Sequence, residues 1–183
     1  MSEEGSEAAR LLLMYVVLPL WVAAGLADWA CHRRTRIQRT SGLPENAFHW
    51  TLFAQIGLAI VAVALLEVNA AVLLLVFAAF LAHELTTYVE LRYTVPLRYI
   101  GPFEQMVHSF MELLPLVMLA LLATLAWEQT LALFGMGEPD FSLRAKDAPW
   151  PLAYLLSGLV AVALLNVLPL AEETLRCWRA RSA

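Results

Sequence analysis

The sequence predicts an all-α polytopic membrane protein with five transmembrane helices, four of them forming a bundle around a metal site and the fifth facing lipid. Three observations point there. Hydrophobic residues make up 61% of the 183-residue chain and charged ones 15%, against roughly half and a quarter in a soluble domain. The apolar residues fall into runs long enough to cross a hydrocarbon core of about 30 Å, each needing about 20 residues, and the mean hydropathy is +0.67. All four histidines lie toward the ends of those runs, each with a carboxylate within one helical turn.

The same numbers exclude other classes. A net charge of −4 offers no basic face to a nucleic acid. Cys31 and Cys177 share no motif spacing, which argues against a disulfide framework or a CxxC zinc site. No internal repeat divides the chain, so residues 1–183 read as a single transmembrane domain.

Residues 1–10 are polar and acidic (Glu3, Glu4, Glu7) and lack the basic start of a secretory signal, so the following run reads as a retained helix at about 11–32. It ends at Asp28 and His32, followed by Arg33, Arg34, Arg36 and Arg39. Turn residues follow, and Pro44 suits a first helical turn, opening a second helix at 45–66. Glu67 and Asn69 interrupt an apolar stretch too long for one span, which places a tight turn there and a third helix at 70–93. Pro96, Gly101 and Pro102 punctuate a loop before a fourth helix at 103–127, with Pro115 as a kink. A polar connection leads to a fifth helix at 150–170, free of ionisable residues, and then to a basic tail with Arg176, Arg179 and Arg181. The first loop, the third loop and the tail hold nine of the twelve basic residues. The positive-inside bias therefore puts the N-terminus outside and the C-terminus in the cytoplasm.

Asp28 and His32, Glu45 and His49, and Glu104, His108 and Glu112 recur at steps of four, which puts each set on one face of its helix. His83 lies on a helix entering from the other side, and its rise of about 1.5 Å per residue returns it to the same leaflet. Glu84 or Glu90 accompanies it; the other pairs with Arg92. An isolated ionised side chain in a membrane costs at least about 2.5–3.5 kcal/mol, so a cluster of this kind needs a neutralising partner. Divalent cations supply it, and mixed imidazole and carboxylate is a ligand set of iron, manganese and zinc. The inventory suits two metal ions, iron foremost, held by Asp28, His32, Glu45, His49, His83, Glu84, Glu104, His108 and Glu112.

Blander roles stand beside these. His32 and Glu45 form a solvated pair at helix ends, and Glu104 is an acid favoured by the helix dipole. His49, His108 and Glu112 serve structural hydrogen bonds. Glu67 is a turn residue, and Tyr88, Tyr93 and Tyr99 are interfacial aromatics. The arginines beyond His32 set topology, and Cys31 and Ser109 point away from the site.

The arrangement resembles the ferritin-like di-iron carboxylate class in that four helices each donate carboxylate or histidine inward. Its spacing is Glu-x-x-x-His rather than that class's Glu-x-x-His. The resemblance implies a di-metal oxidoreductase that acts on a lipid or other hydrophobic small molecule and draws on an electron donor the residues do not name. The alternatives are a zinc-dependent membrane hydrolase of lipid substrates, a haem b protein and a metal transporter. The outer halves of the helices are almost uniformly apolar, which counts against a transport path.

Overall fold

Five long helices carry the chain, and each is long and apolar enough to cross a membrane. The computed structural model describes residues 3–181, and among them there is no β-strand beyond one isolated bridge. Helix α1 spans Glu3–Thr35. It starts eight residues before the expected boundary because Glu3 and Glu4 occupy its first turn, where carboxylates favour the dipole. It stops where Arg36 turns left-handed, at φ 58°, and its N–H bonds back to the His32 carbonyl. A short 3-10 turn, Ile37–Arg39, leads to α2 at Gly42–Leu65. Helix α3 (Ala70–Thr94) is capped by Asn69, whose side chain accepts from the Val72 N–H at 3.2 Å. Helix α4 (Pro102–Leu125) carries Pro102 in its first turn. The short α5, Trp127–Leu133, precedes the long connection to α6 at Leu152–Arg181.

The core lies between α1, α2, α3 and α4, with Leu13, Val17, Trp21, Ile56, Val72 and Met118 among its buried residues. The outward faces are apolar too: Leu58, Leu81, Leu113 and Leu159 are exposed, as expected where lipid is the neighbour.

The fifth span departs from expectation. Helix α6 continues eleven residues past the predicted end at 170, through Glu172 and Glu173 to Arg181. Its C-terminal end is not a solvated basic tail. It docks on α1 and α2, with Trp29 Nε1 donating to Glu172 at 2.9 Å and Trp50 Nε1 to Thr174 at 2.9 Å. Both α1 and α6 contain a π-helical turn, at Leu13–Val17 and Ala163–Val167. The Tyr154 hydroxyl donates to the Met14 carbonyl in the first, and Asn166 in the second donates to the Val22 carbonyl at 3.1 Å. Gly25 permits this approach, since a Cβ there would fall 2.5 Å from Asn166 Nδ2.

At the end remote from the histidines, the connection before α6 folds under the α2–α3 turn. The Glu67 N–H donates to the Arg144 carbonyl and the Lys146 N–H to the Leu65 carbonyl, each at 2.9 Å. Glu67 accepts from the Asp147 N–H, in keeping with a turn residue. Asn69 also donates to the Ser142 carbonyl, so it caps a helix and ties down the loop at once. Replacing it with alanine is expected to cost about 1–2 kcal/mol, the upper range for a lost cap, read as a lower thermal midpoint in detergent.

Candidate metal centre

Asp28, His32, Glu45, Glu104 and Glu173 meet at the basic end of the bundle, and none is more than 5% exposed. His49 and His108 flank them, with side chains 12% and 18% exposed. The helical step of four does the local work: His32 Nε2 lies 3.3 Å from Asp28 Oδ1 on α1, and His49 Nε2 4.0 Å from Glu45 Oε1 on α2. Across helices, His32 Nε2 is 3.3 Å from Glu104 Oε1 and 3.8 Å from Glu45 Oε1. His108 Nε2 is 2.9 Å from Asp28 Oδ1. Two overlapping sets of donor atoms emerge, Asp28, His32, Glu104 and His108, and His32, Glu45 and His49, each within 4.8 Å of one another. Metal–ligand bonds of about 2.0–2.2 Å put neighbouring ligand atoms about 3–3.5 Å apart, so several of these separations already match one coordination sphere. These groups can hold a metal ion.

Glu173 fixes the histidines. Its two oxygens face Nδ1 of His32 at 3.1 Å and Nδ1 of His49 at 3.0 Å, and the two rings stack with centroids 4.5 Å apart. An ionised carboxylate only accepts, so both Nδ1 atoms donate. The Nε2 atoms are left facing the carboxylates of Asp28, Glu104 and Glu45. A lone pair aimed at carboxylates repels them unless a cation or proton sits between. His32 Nε2 and Glu104 Oε2 are buried without a hydrogen-bond partner, as expected of groups reserved for a metal.

Arg98, from the α3–α4 loop, supplies fixed charge. Its guanidinium bonds Glu45 (Nε to Oε1 3.0 Å) and reaches Glu104 at 2.6 Å. Burial works against its charge, but its hydrogen bonds to the Glu45 and Glu104 carboxylates more than offset that and hold its pKa above the ordinary value. Ser41 donates to the other Glu45 oxygen, and Tyr93 donates to the Ser41 carbonyl. Arg98 and, at the rim, Arg176 offset two of the four buried carboxylate charges. A divalent cation would balance the other two.

Of the nine sequence-predicted ligands, the two sets contain Asp28, His32, Glu45, His49, Glu104 and His108. His83, Glu84 and Glu112 lie outside both. His83 is buried against the backbone of Leu52. Glu84 lies in the field of Glu112, and Glu112 lines a lateral groove of about 760 Å³ beside α4 together with His108, Ser109 and Arg98. Glu90 accepts from Thr94 at 2.6 Å rather than pairing with Arg92, which reaches Tyr88. The solvated-pair role for His32 and Glu45 fails, because they are 1% and 0% exposed.

Sequence reasoning missed Glu173 and Arg98. Glu173 sits seven residues after the buried Asn166 and four before the buried Cys177, a helical periodicity that could have continued α6 inward. Arg98 gave no signal beyond its charge. The chain matches no protein-family model, no curated protein and no solved structure.

Changing Glu173 to glutamine keeps its shape but lets it offer a donor where both imidazoles need an acceptor. Loss of such an orienting carboxylate is expected to weaken metal binding about 10–100-fold, measurable by competition with a metal chelator.

Proposed function

We propose that this chain is an integral-membrane metalloenzyme that holds a single divalent iron at the cytoplasmic end of its bundle and oxidises or reduces a lipid-soluble substrate there. The observation that carries this reading is the double donation of His32 and His49 to Glu173, which leaves both Nε2 atoms turned toward Asp28, Glu104 and Glu45. One ion fits better than the two anticipated from ligand number. The two donor sets share His32, whose Nδ1 is engaged by Glu173 and cannot reach a second metal. Arg98 meanwhile bridges Glu45 and Glu104, where a second cation would otherwise sit.

Two imidazoles and one or two carboxylates with positions left open is the set associated with non-haem iron, which supplies dioxygen or electron-transfer chemistry when bound. Asp28, His32, Glu104 and His108 would hold it. Substrate reaches His108 along the lateral groove, whose walls are Leu91, Val95, Leu97 and Tyr99 on the apolar side and Gln105 and Glu112 on the polar side. That mixture suits a lipid with a polar reacting end.

The test reconstitutes iron-loaded protein into liposomes made from lipids of the expression host and follows oxygen uptake and the lipid products by mass spectrometry. Uptake that depends on iron and is absent in the His108→Ala variant supports the reading. Zinc-dependent release of hydrolysed lipid without oxygen would replace it with a hydrolase.

A further inference from the structure

A second feature adjoins the candidate centre on the side of the bilayer interior. A cavity of about 60 Å³ lies among α1, α2, α3, α4 and α6, with Asp28, His32, His49 and Glu173 forming one wall. Leu52, Phe53, Met111 and Leu170 make the rest largely apolar. Into this setting three helices each bring a buried polar side chain: Trp21 from α1, His83 from α3 and Asn166 from α6, at 6%, 3% and 8% exposure. Trp21 Nε1, His83 Nδ1 and Asn166 Oδ1 each lack a hydrogen-bond partner.

Buried polar atoms normally find partners, and an unpaired one costs about 1–3 kcal/mol. Three of them around one cavity mark a place where a ligand makes the missing bonds. The indole N–H can only donate and the amide oxygen can only accept. Their occupant therefore carries both functions, as a hydroxyl-type oxygen does. None of the three is charged, so nothing in this wall selects an ion. The space of about 60 Å³ holds roughly four to six water-sized groups, at about 10–15 Å³ each, which excludes a whole lipid but admits water or the end of a slender molecule. The backbone is arranged to keep Asn166 in place. It lies in the α6 π-turn, its amide nitrogen is anchored to the Val22 carbonyl, and Gly25 leaves room for it. Single π-turns inside α-helices recur at functional sites.

We infer that this cavity is a binding site for a small uncharged hydroxyl-bearing ligand, either water or the alcohol end of a lipid-soluble molecule, held by Trp21, His83 and Asn166 against the metal centre. The inference rests on the metal reading above and adds to it the position and class of the metal's neighbour. His83 thereby acquires a role that is not metal ligation.

Cobalt(II), loaded into the detergent-purified full chain, is the probe. Its visible spectrum reports binding to the centre, and deuterium electron spin-echo modulation reports deuterium beside it. In the wild type, modulation in ordinary water from butanol deuterated on its carbons, with a saturable shift of the visible bands, identifies the alcohol. Absence of that modulation and shift, with modulation in heavy water that weakens in the variants below, identifies water. In Asn166→Leu, which keeps the shape of the side chain but removes the acceptor, and in Trp21→Phe, which removes the indole N–H together with part of the ring, the response to butanol is expected to weaken about tenfold, the effect of one lost buried hydrogen bond. Cobalt affinity in both stays within about twofold of the wild type, because neither side chain belongs to a donor set. Cobalt binding that is intact with the same modulation and butanol response in wild type and both variants overturns the cavity inference alone. Failure of the wild type to bind cobalt overturns the metal reading and this inference with it. Trp21→Phe keeps the test open if Asn166→Leu does not fold.

Discussion

Replacing His32 with alanine is expected to empty the centre, with bound metal falling at least about tenfold. His32 belongs to both donor sets, and its ring touches Asp28, Glu104 and Glu173 within 3.3 Å. Its loss leaves Glu173 with His49 alone to orient and removes the Nε2 on which three carboxylates converge. Removing a mere orienting partner already costs about 10–100-fold in affinity, so removing the shared ligand costs no less. Elemental mass spectrometry of the purified variant reads the result. Glu112→Ala is the informative contrast. It lies outside both sets, and its bound metal is expected to match the wild type. A deficit in Glu112→Ala as deep as in His32→Ala would mean that the donor sets are misassigned.

Arg98→Met is expected to destabilise the fold by about 3–5 kcal/mol, the usual result of stripping one partner from a buried ion pair. Methionine keeps most of the volume and removes the charge. Glu45 and Glu104 are then left facing each other at 0% and 3% exposure, with a hydrogen bond from Ser41 to Glu45 and the bare Nε2 of His32 beside Glu104. The thermal midpoint in detergent falls accordingly. Adding Glu45→Gln to Arg98→Met is expected to recover part of the loss, because it removes the uncompensated charge rather than the cavity. Equal midpoints in the single and double variants would show that packing, and not charge, is what Arg98 contributes.

The two effects share a cause, and it governs how much the sequence could disclose. Five apolar runs separated by Pro, Gly and charged residues are enough to place five spans, because span length is set by the bilayer and not by tertiary contacts. Pairs four residues apart are equally plain, which is why Asp28 with His32, Glu45 with His49, and Glu104 with His108 were legible. Extending the same rule one step further leads outside the two donor sets. Glu112 lies eight residues beyond Glu104, about 12 Å along a helix, and belongs to neither. His83 suffers the same displacement: eleven residues, about 16 Å, separate it from Thr94 at the end of α3. It reaches the cavity above the centre instead.

What the sequence hid were partners from elements that looked solvated. Arg98 stands in a short loop among residues that read as topology signals, yet its side chain is 4% exposed and bridges α2 to α4. Glu173 follows an apolar run and precedes three arginines, the ordinary appearance of a helix fraying into water. Tertiary contacts to the end of α6, from Trp29, Asn46 and Trp50, turn that segment inward. Charge patterns along a chain describe topology well; they do not say which charges will be buried against one another.

The central claim is that His32, held by Glu173, is the hub of a single-metal centre. The decisive measurement is the metal content of the full chain, purified in detergent after growth with iron, manganese and zinc available, beside the His32→Ala and Glu112→Ala variants. The account predicts about one transition-metal ion per chain in the wild type and in Glu112→Ala, as a single coordination sphere of four protein donors requires, and almost none in His32→Ala. Wild-type protein without bound metal, or the same content in all three proteins, would contradict it.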